Sequence, residues 1–407
     1  MSSSLDSLST YPSIPPKVPQ RNPSNISTKK PPYIPEKPIS PNEIHNKSHG
    51  TVGLRNLGNT CYMNSILQCL NATTDLTRFF LNGRFKNDIN EGNTLGTGGK
   101  LAKEYNRFLY TIWNEHLPVV SPTNIKEVIS NFNNEFKGTE QHDSQEFLSC
   151  ILDGLHEDLN LARKKSKSEI DIIRKRHNEE EKDEERNNYP LTVLQANAWK
   201  RYIDFNYSVI VNTFQGQYMS TLKCSRCGKS STTFNSLMYL SVPIPENATN
   251  LYHCLDKYIE KEYLKGNDAW SCPKCKVKVE ATKQLLLSRL PKIMLIHLKR
   301  FYFQGPFRDK ITKSINFPLK NLDLSKYTFS FDFNKHFRYN LFAISNHYGT
   351  LSGGHYTAFV KDKISDNWVS FDDSRISDIS ESKIMVILLL LKTIYILFHL
   401  YIFIYIY

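Results

Sequence analysis

The sequence predicts an α+β fold, with a helical first part and a strand-rich second part, and three observations carry that prediction. From Gly53 to about Leu155, apolar residues recur at helical spacing, as in Met63, Ile66, Leu67 and Leu70. From about Thr213 the pattern changes to short alternating runs such as MYLSVPIP and IMLIHLKRF, which read as strands. Strands gathered after helices, rather than alternating with them, point away from a parallel α/β sheet. The 407 residues are 40% hydrophobic and 12% aromatic, enough for one large core or two ordinary ones.

Residues 1 to about 48 are rich in proline, serine and lysine, cannot bury a core, and read as disordered. Within them, Pro16-Lys17-Val18-Pro19-Gln20-Arg21 has the PxxPx-basic form that SH3 domains accept, and Pro32 to Lys37 repeats it. The start lacks the charged end and apolar run of a signal peptide. Together with eight cysteines this argues for a reducing, cytoplasmic setting in which thiols serve metal binding or catalysis. The formal net charge of +12 would suit an acidic partner, but the basic residues are scattered and no basic stripe carries exposed aromatics. No nucleic-acid role is expected.

The segment GLRNLGNTCYMNSILQCL, Gly53 to Leu70, opens the folded part. Gly58 allows a sharp turn, Asn59 and Thr60 are good N-cap types, and Cys61 begins a helix whose apolar residues form one buried stripe. The amide groups and dipole at a helix N-terminus favour a thiolate and make it a nucleophile. The same place also suits a small buried residue, so a partner base has to decide.

Arg163 to Arg186 is a run of mixed charge with almost no apolar face, read as a solvated helix or a disordered insertion. Beyond Lys383 stands IMVILLLLKTIYILFHLYIFIYIY, long enough to span a bilayer but interrupted by Lys392 and His399. It reads as a membrane anchor, as a buried final strand, or as a tail that is not the natural end of the domain. Its restricted composition is similar to translated AT-rich noncoding DNA.

The base candidate lies far downstream, in YNLFAISNHYGTLSGGHYTAFVKD, Tyr339 to Asp362, which looks like two strands joined by a glycine-bearing loop. His355 follows Gly353 and Gly354, whose missing side chains would let a substrate backbone approach. Asp372 and Asp373 end a further strand, where a carboxylate could accept the second imidazole N–H. Cysteine, then histidine, then acid is the papain-like order. His347 reads as structural.

Cys224, Cys227, Cys272 and Cys275 form two Cys-x2-Cys knuckles, and two knuckles complete a tetrahedral Zn2+ site. Four protein ligands would close the site to water, so the role expected of it is structural. Cys69, Cys150 and Cys254 read as core residues.

Together these segments resemble the ubiquitin-specific protease family of papain-like deubiquitinases, over roughly Gly53 to Ser380. GLRNLGNTCYMNSILQCL resembles its Cys box and HYGTLSGGHYTAFVKD with WVSFDDSRIS its His box. GTEQHDSQEFLSCILDGLHEDL resembles its Gln-Asp-x-x-Glu-Phe box, FQGQYMSTLKCSRCGKSSTTFNSLMYLSVPIP the start of its fingers, and LPKIMLIHLKRF a palm strand. The resemblance implies a helical thumb at about 53–212, zinc-bearing fingers at about 213–289 and a β-rich palm at about 290–380. These lie in a catalytic domain over 49–383, with a charged insertion at about 160–188 and a separate apolar tail at 384–407. It implies Cys61 as nucleophile, His355 as base and Asp372 as orienter, with Asp373 able to share or replace that last role. Asn56 matches the position whose amide stabilises the oxyanion, although it would also serve as a turn former. Asp143 and Glu146 match acidic positions facing the basic tail of ubiquitin, and Gly353 and Gly354 would line the channel for its Gly-Gly end. The family closes its palm with one more strand, which only Tyr395 to Phe398 faintly resembles here.

Overall fold

The helix Cys61–Asn71 is buried along its whole length, and the rest of the molecule is built around it. Apolar spacing alone predicts one buried stripe, but polar residues of this helix are buried too, and the side-chain amide donors of Asn64, Gln68 and Asn71 are bonded. Gln68 Nε2 donates to the Val52 carbonyl at 2.8 Å and Asn71 Nδ2 to the Gly50 carbonyl at 2.9 Å. Ser65 and Ser345 share a hydroxyl contact of 2.9 Å. An extended segment beside the helix thus satisfies groups that would otherwise be costly to bury.

The structure is a computed structural model that describes residues 50–304, 307–311, 313–329, 337–349, 353–390 and 401–406. The proline-rich segment with Pro16–Arg21 and Pro32–Lys37, and Tyr395 to Phe398, lie outside the described residues.

On one side, Cys61–Asn71 meets the helix Ser144–Asp158, which also touches Lys100–Asn114 and Thr123–Phe132. On the other side lie the strands Gly354–Lys361 and Arg338–Gly349 of the largest sheet. The strand order of that sheet is Arg375–Ile379, Trp368–Asp372, Gly354–Lys361, Arg338–Gly349, Tyr401–Ile406, Ile293–Lys299 and Leu240–Pro243, with Leu322–Asp323 pairing off Arg338–Gly349. Alternate residues serve opposite faces, as pleating requires. Ala343, Ala358 and Val360 join the helical core, whereas Ile344 and Phe359 join a second core with Leu251, Leu255 and Trp368.

Two features of this sheet depart from the expected divisions. Leu240–Pro243, counted with the fingers from sequence, pairs in parallel with Ile293–Lys299 at the sheet edge. The apolar tail supplies an interior strand: Tyr401–Ile406 runs antiparallel to both neighbours, with Phe403 opposite Leu295 and Ile404 opposite Leu341. The palm is therefore closed several residues beyond Tyr395–Phe398. Among the described residues no helix is long and apolar enough to cross a membrane.

A separate four-stranded sheet orders Ser230–Leu237, Gly216–Cys224, Ala281–Arg289 and Glu262–Leu264. The charged run forms the helix Lys167–Arg186, opened by a reciprocal capping box between Ser166 and Glu169. Charge docks it instead of an apolar stripe. Buried Arg201 holds Glu184 through both guanidinium amines at 2.7 and 2.9 Å, and buried His177 meets Asp204 at 2.8 Å.

Candidate functional site

The turn before Cys61 is set by backbone that glycine and asparagine tolerate: φ is +102° at Gly58 and +54° at Asn59. Asn56 Oδ1 accepts from the Gly58 and Thr60 amides at 3.0 and 3.1 Å, tying the turn together. Thr60 precedes the helix but does not cap it with its side chain; its hydroxyl instead accepts the Leu57 amide at 2.8 Å. The capping expected of Asn59 and Thr60 is therefore absent, and the positive end of the helix is left to Cys61, which is 3% exposed.

Antiparallel pairing of Gly354–Lys361 with Trp368–Asp372 brings His355 beside Asp372. His355 Nε2 and Asp372 Oδ1 lie 2.5 Å apart. With Nε2 so used, Nδ1 is the nitrogen left for Cys61. The bond to the Cys61 thiol, opposed by burial and reinforced by Asp372, raises His355 from the ordinary 6.5 to about 9. An imidazolium between a sulfur and a carboxylate is thereby favoured.

Asp373 has a different task from its neighbour. Its φ of +50° turns the carboxylate away from the strand, and Oδ2 accepts from Asn56 Nδ2 while Oδ1 accepts from Asn64 Nδ2, both at 2.8 Å. Its carbonyl also accepts the Leu54 amide at 2.8 Å. Asp372 alone meets His355, and Asp373 fixes the Asn56 amide beside Cys61. Adjacency in sequence left the two acids interchangeable; the left-handed backbone separates them.

The two glycines also differ. A Cβ on Gly354 would lie 2.2 Å from His347 Nε2 and 2.4 Å from the Tyr348 carbonyl, so only glycine fits. A Cβ on Gly353 would find nothing closer than Gln141 Oε1 at 3.8 Å. Gly354 is thus explained by its own neighbours, while Gly353 borders open space. His347 is a packed residue, as expected, with its ring 4.5 Å from that of Tyr356.

Asp143 caps the helix Ser144–Asp158, accepting the Gln145 amide at 2.8 Å. Glu146, one turn on, is pushed up to about 7 by desolvation and by the nearby Asp143 and Glu135 carboxylates. Sequence reasoning did not single out Gln141, whose side-chain amide bonds both backbone groups of Gly354. Its position in the acidic box was the available signal.

The four knuckle cysteines converge, with their sulfurs within 4.8 Å of one another. Cys224 and Cys275 Sγ are 3.9 Å apart, and Cys227 and Cys272 Sγ 3.7 Å. A tetrahedral ion with ~2.3 Å Zn–S bonds needs sulfurs about 3.8 Å apart, so the cluster fits Zn2+. The knuckles repeat one another: the residue after each pair, Gly228 or Lys276, has positive φ and donates to the first cysteine's carbonyl. Cys69, Cys150 and Cys254 are buried in the cores.

Comparison with known proteins agrees with this architecture. Residues 52–399 match the family model for ubiquitin carboxyl-terminal hydrolase. Ubiquitin carboxyl-terminal hydrolase 4 of Vanderwaltozyma polyspora is 37% identical over 351 residues, covering 80% of this chain and 38% of the relative. Ubiquitin carboxyl-terminal hydrolase 2 of Homo sapiens is 36% identical over 341 residues, covering 83% of this chain and 54% of the relative. The chain thus spans only 38% to 54% of these relatives. A chain of the solved SAGA Ubp8/Sgf11/Sus1/Sgf73 DUB module bound to ubiquitin aldehyde shares the fold, with a TM-score of 0.65 and 24% identity over 88% of this chain and 70% of that one.

Proposed function

The chain belongs to the ubiquitin carboxyl-terminal hydrolase family, and on that premise we propose that it is a thiol-dependent deubiquitinase cutting peptide and isopeptide bonds at the C-terminal glycine of ubiquitin. The observation that carries this reading is His355 held between Cys61 and Asp372. His355 takes the thiol proton through Nδ1, while Asp372 holds Nε2–H and the resulting charge. The thiolate adds to the glycine carbonyl carbon, and the carbonyl electron pair moves onto oxygen. The N–H of Asn56 Nδ2 not engaged by Asp373 is available to that oxyanion. Collapse breaks the C–N bond, the departing amine takes the proton from His355, and a thioester remains. Water then adds with His355 as base, expelling the Cys61 thiolate and releasing ubiquitin.

Asp143 and Glu146 are assigned to basic residues of the ubiquitin tail, and Gly353 to the passage of its end. Zn2+ would be held by Cys224, Cys227, Cys272 and Cys275, bracing the fingers with no position open for water or substrate. Nucleophile and metal ligands all require reduced sulfur, which favours a reducing, cytoplasmic setting. Hydrolysis of a ubiquitin C-terminal fluorogenic conjugate tests the reading. Turnover by the wild type and none by Cys61→Ala is expected; turnover that survives Cys61→Ala, or preference for another ubiquitin-like modifier in competition, overturns it.

A further inference from the structure

His355 is gripped on both sides by one short stretch of the helical half. The residue before it, Gly354, donates its amide to Gln141 Oε1 at 2.8 Å and accepts from Gln141 Nε2 at 3.0 Å. The residue after it, Tyr356, presents its hydroxyl to the Ser144 amide at 3.4 Å. The need for such a grip follows from the ladder. On the side of Arg338–Gly349 the ladder reaches Gly354 and His355, opposite Gly349 and Tyr348, but on the other side pairing with Trp368–Asp372 covers only Ala358 to Lys361 and stops short of the histidine. Past that end, the planar amide of Gln141 meets both backbone groups of Gly354 as the peptide of another strand would. Cys61 is fixed by its buried helix, which packs on Ser144–Asp158, the helix that follows Gln141. Gln141 therefore ties the segment carrying the base to the segment that supports the nucleophile.

We propose that Gln141 is a positioning residue, holding the start of the histidine strand so that His355 stays in line between Cys61 and Asp372. The proposal builds on the deubiquitinase reading, but its consequence for Cys61 can be read without ubiquitin. A base displaced by a fraction of an ångström transfers protons less well while substrate binding is unaffected, so kcat carries the loss.

The test compares wild type, Gln141→Met and Gln141→Glu in the full chain. Gln141→Met keeps the side-chain shape and removes both bonds, whereas Gln141→Glu keeps the acceptor for the Gly354 amide and loses the donor to its carbonyl. For Gln141→Met we expect kcat on a fluorogenic ubiquitin conjugate to fall roughly tenfold, with KM within about twofold. The alkaline limb of its pH profile should move to lower pH as His355 loses its hold, and Gln141→Glu should fall between the two. In parallel, alkylation of Cys61 by iodoacetamide, followed by peptide mass, should slow in Gln141→Met while the melting temperature stays at the wild-type value. A higher KM at unchanged kcat would make Gln141 a substrate contact and overturn the proposal. So would unchanged kinetics and alkylation. If the wild type is alkylated at Cys61 but leaves the conjugate uncut, the deubiquitinase reading fails, and the Gln141→Met alkylation rate still decides the positioning role.

Discussion

The molecule uses cysteine in two places, and the two are built in opposite ways. Each Cys-x2-Cys knuckle makes its own turn, with an amide hydrogen bond to its first sulfur, and the neighbouring strands need only bring two such turns together. The Cys61 centre takes nothing ready-made from one segment. It needs the turn at Asn56 to Thr60, the strand of His355, the end of the strand at Asp372 and Asp373, and a sheet to hold the last two in register. A site made of local turns survives damage elsewhere. A site assembled from distant segments inherits the stability of whatever aligns them.

Cys61→Ala and Cys272→Ser should separate the two sites most widely. Cys61→Ala should bring hydrolysis to background with metal content unchanged. Cys272→Ser should lose bound zinc, measured by atomic absorption, and destabilise the fingers by several kcal/mol. Ending the chain at Lys383 comes next. It removes the interior strand Tyr401–Ile406 and exposes the edges of both Arg338–Gly349 and Ile293–Lys299. Loss of those ladders should unfold the large sheet, seen as loss of the cooperative melt, because each ladder bond left unmade costs about 1 kcal/mol and total stability is only ~5–15 kcal/mol.

Smaller changes separate the two acids. Asp372→Asn should lower kcat roughly 10²- to 10³-fold by weakening the hold on imidazolium. Asp373→Asn acts through Asn56, so its cost should be nearer tenfold and should nearly vanish in an Asn56→Ala background, whose own loss is about 10²-fold. A double-mutant cycle on kcat checks this. The smallest effect is on stability against pH. His355 titrates near 9 when folded and near 6.5 when unfolded, so its contribution is full below about 6.5 and is lost as pH rises through 9. Wild type should therefore lose stability relative to His355→Ala over that window, measured by urea midpoints.

The helical-then-strand order, the knuckles, and Cys61, His355 and Asp372 were legible because each is written in neighbouring residues or a short pattern. What was not legible depends on who pairs with whom. The Ile- and Tyr-rich tail has the same composition whether it spans a bilayer or fills a gap between two strands; only register distinguishes them. Leu240–Pro243 reads as a strand but does not say which sheet it joins. Asp372 and Asp373 are adjacent and alike, and a single left-handed residue gives them different partners. Gln141 is an ordinary polar residue until folding brings Gly354 across from it.

The most direct test is labelling with a ubiquitin probe that carries a thiol-reactive group at its C-terminus, applied to the wild type and to Cys61→Ala after a cooperative thermal melt has shown both to be folded. A covalent adduct on Cys61 is expected in the wild type and none in the variant. A folded wild type that stays unlabelled, or a variant that labels equally well, would contradict the deubiquitinase reading.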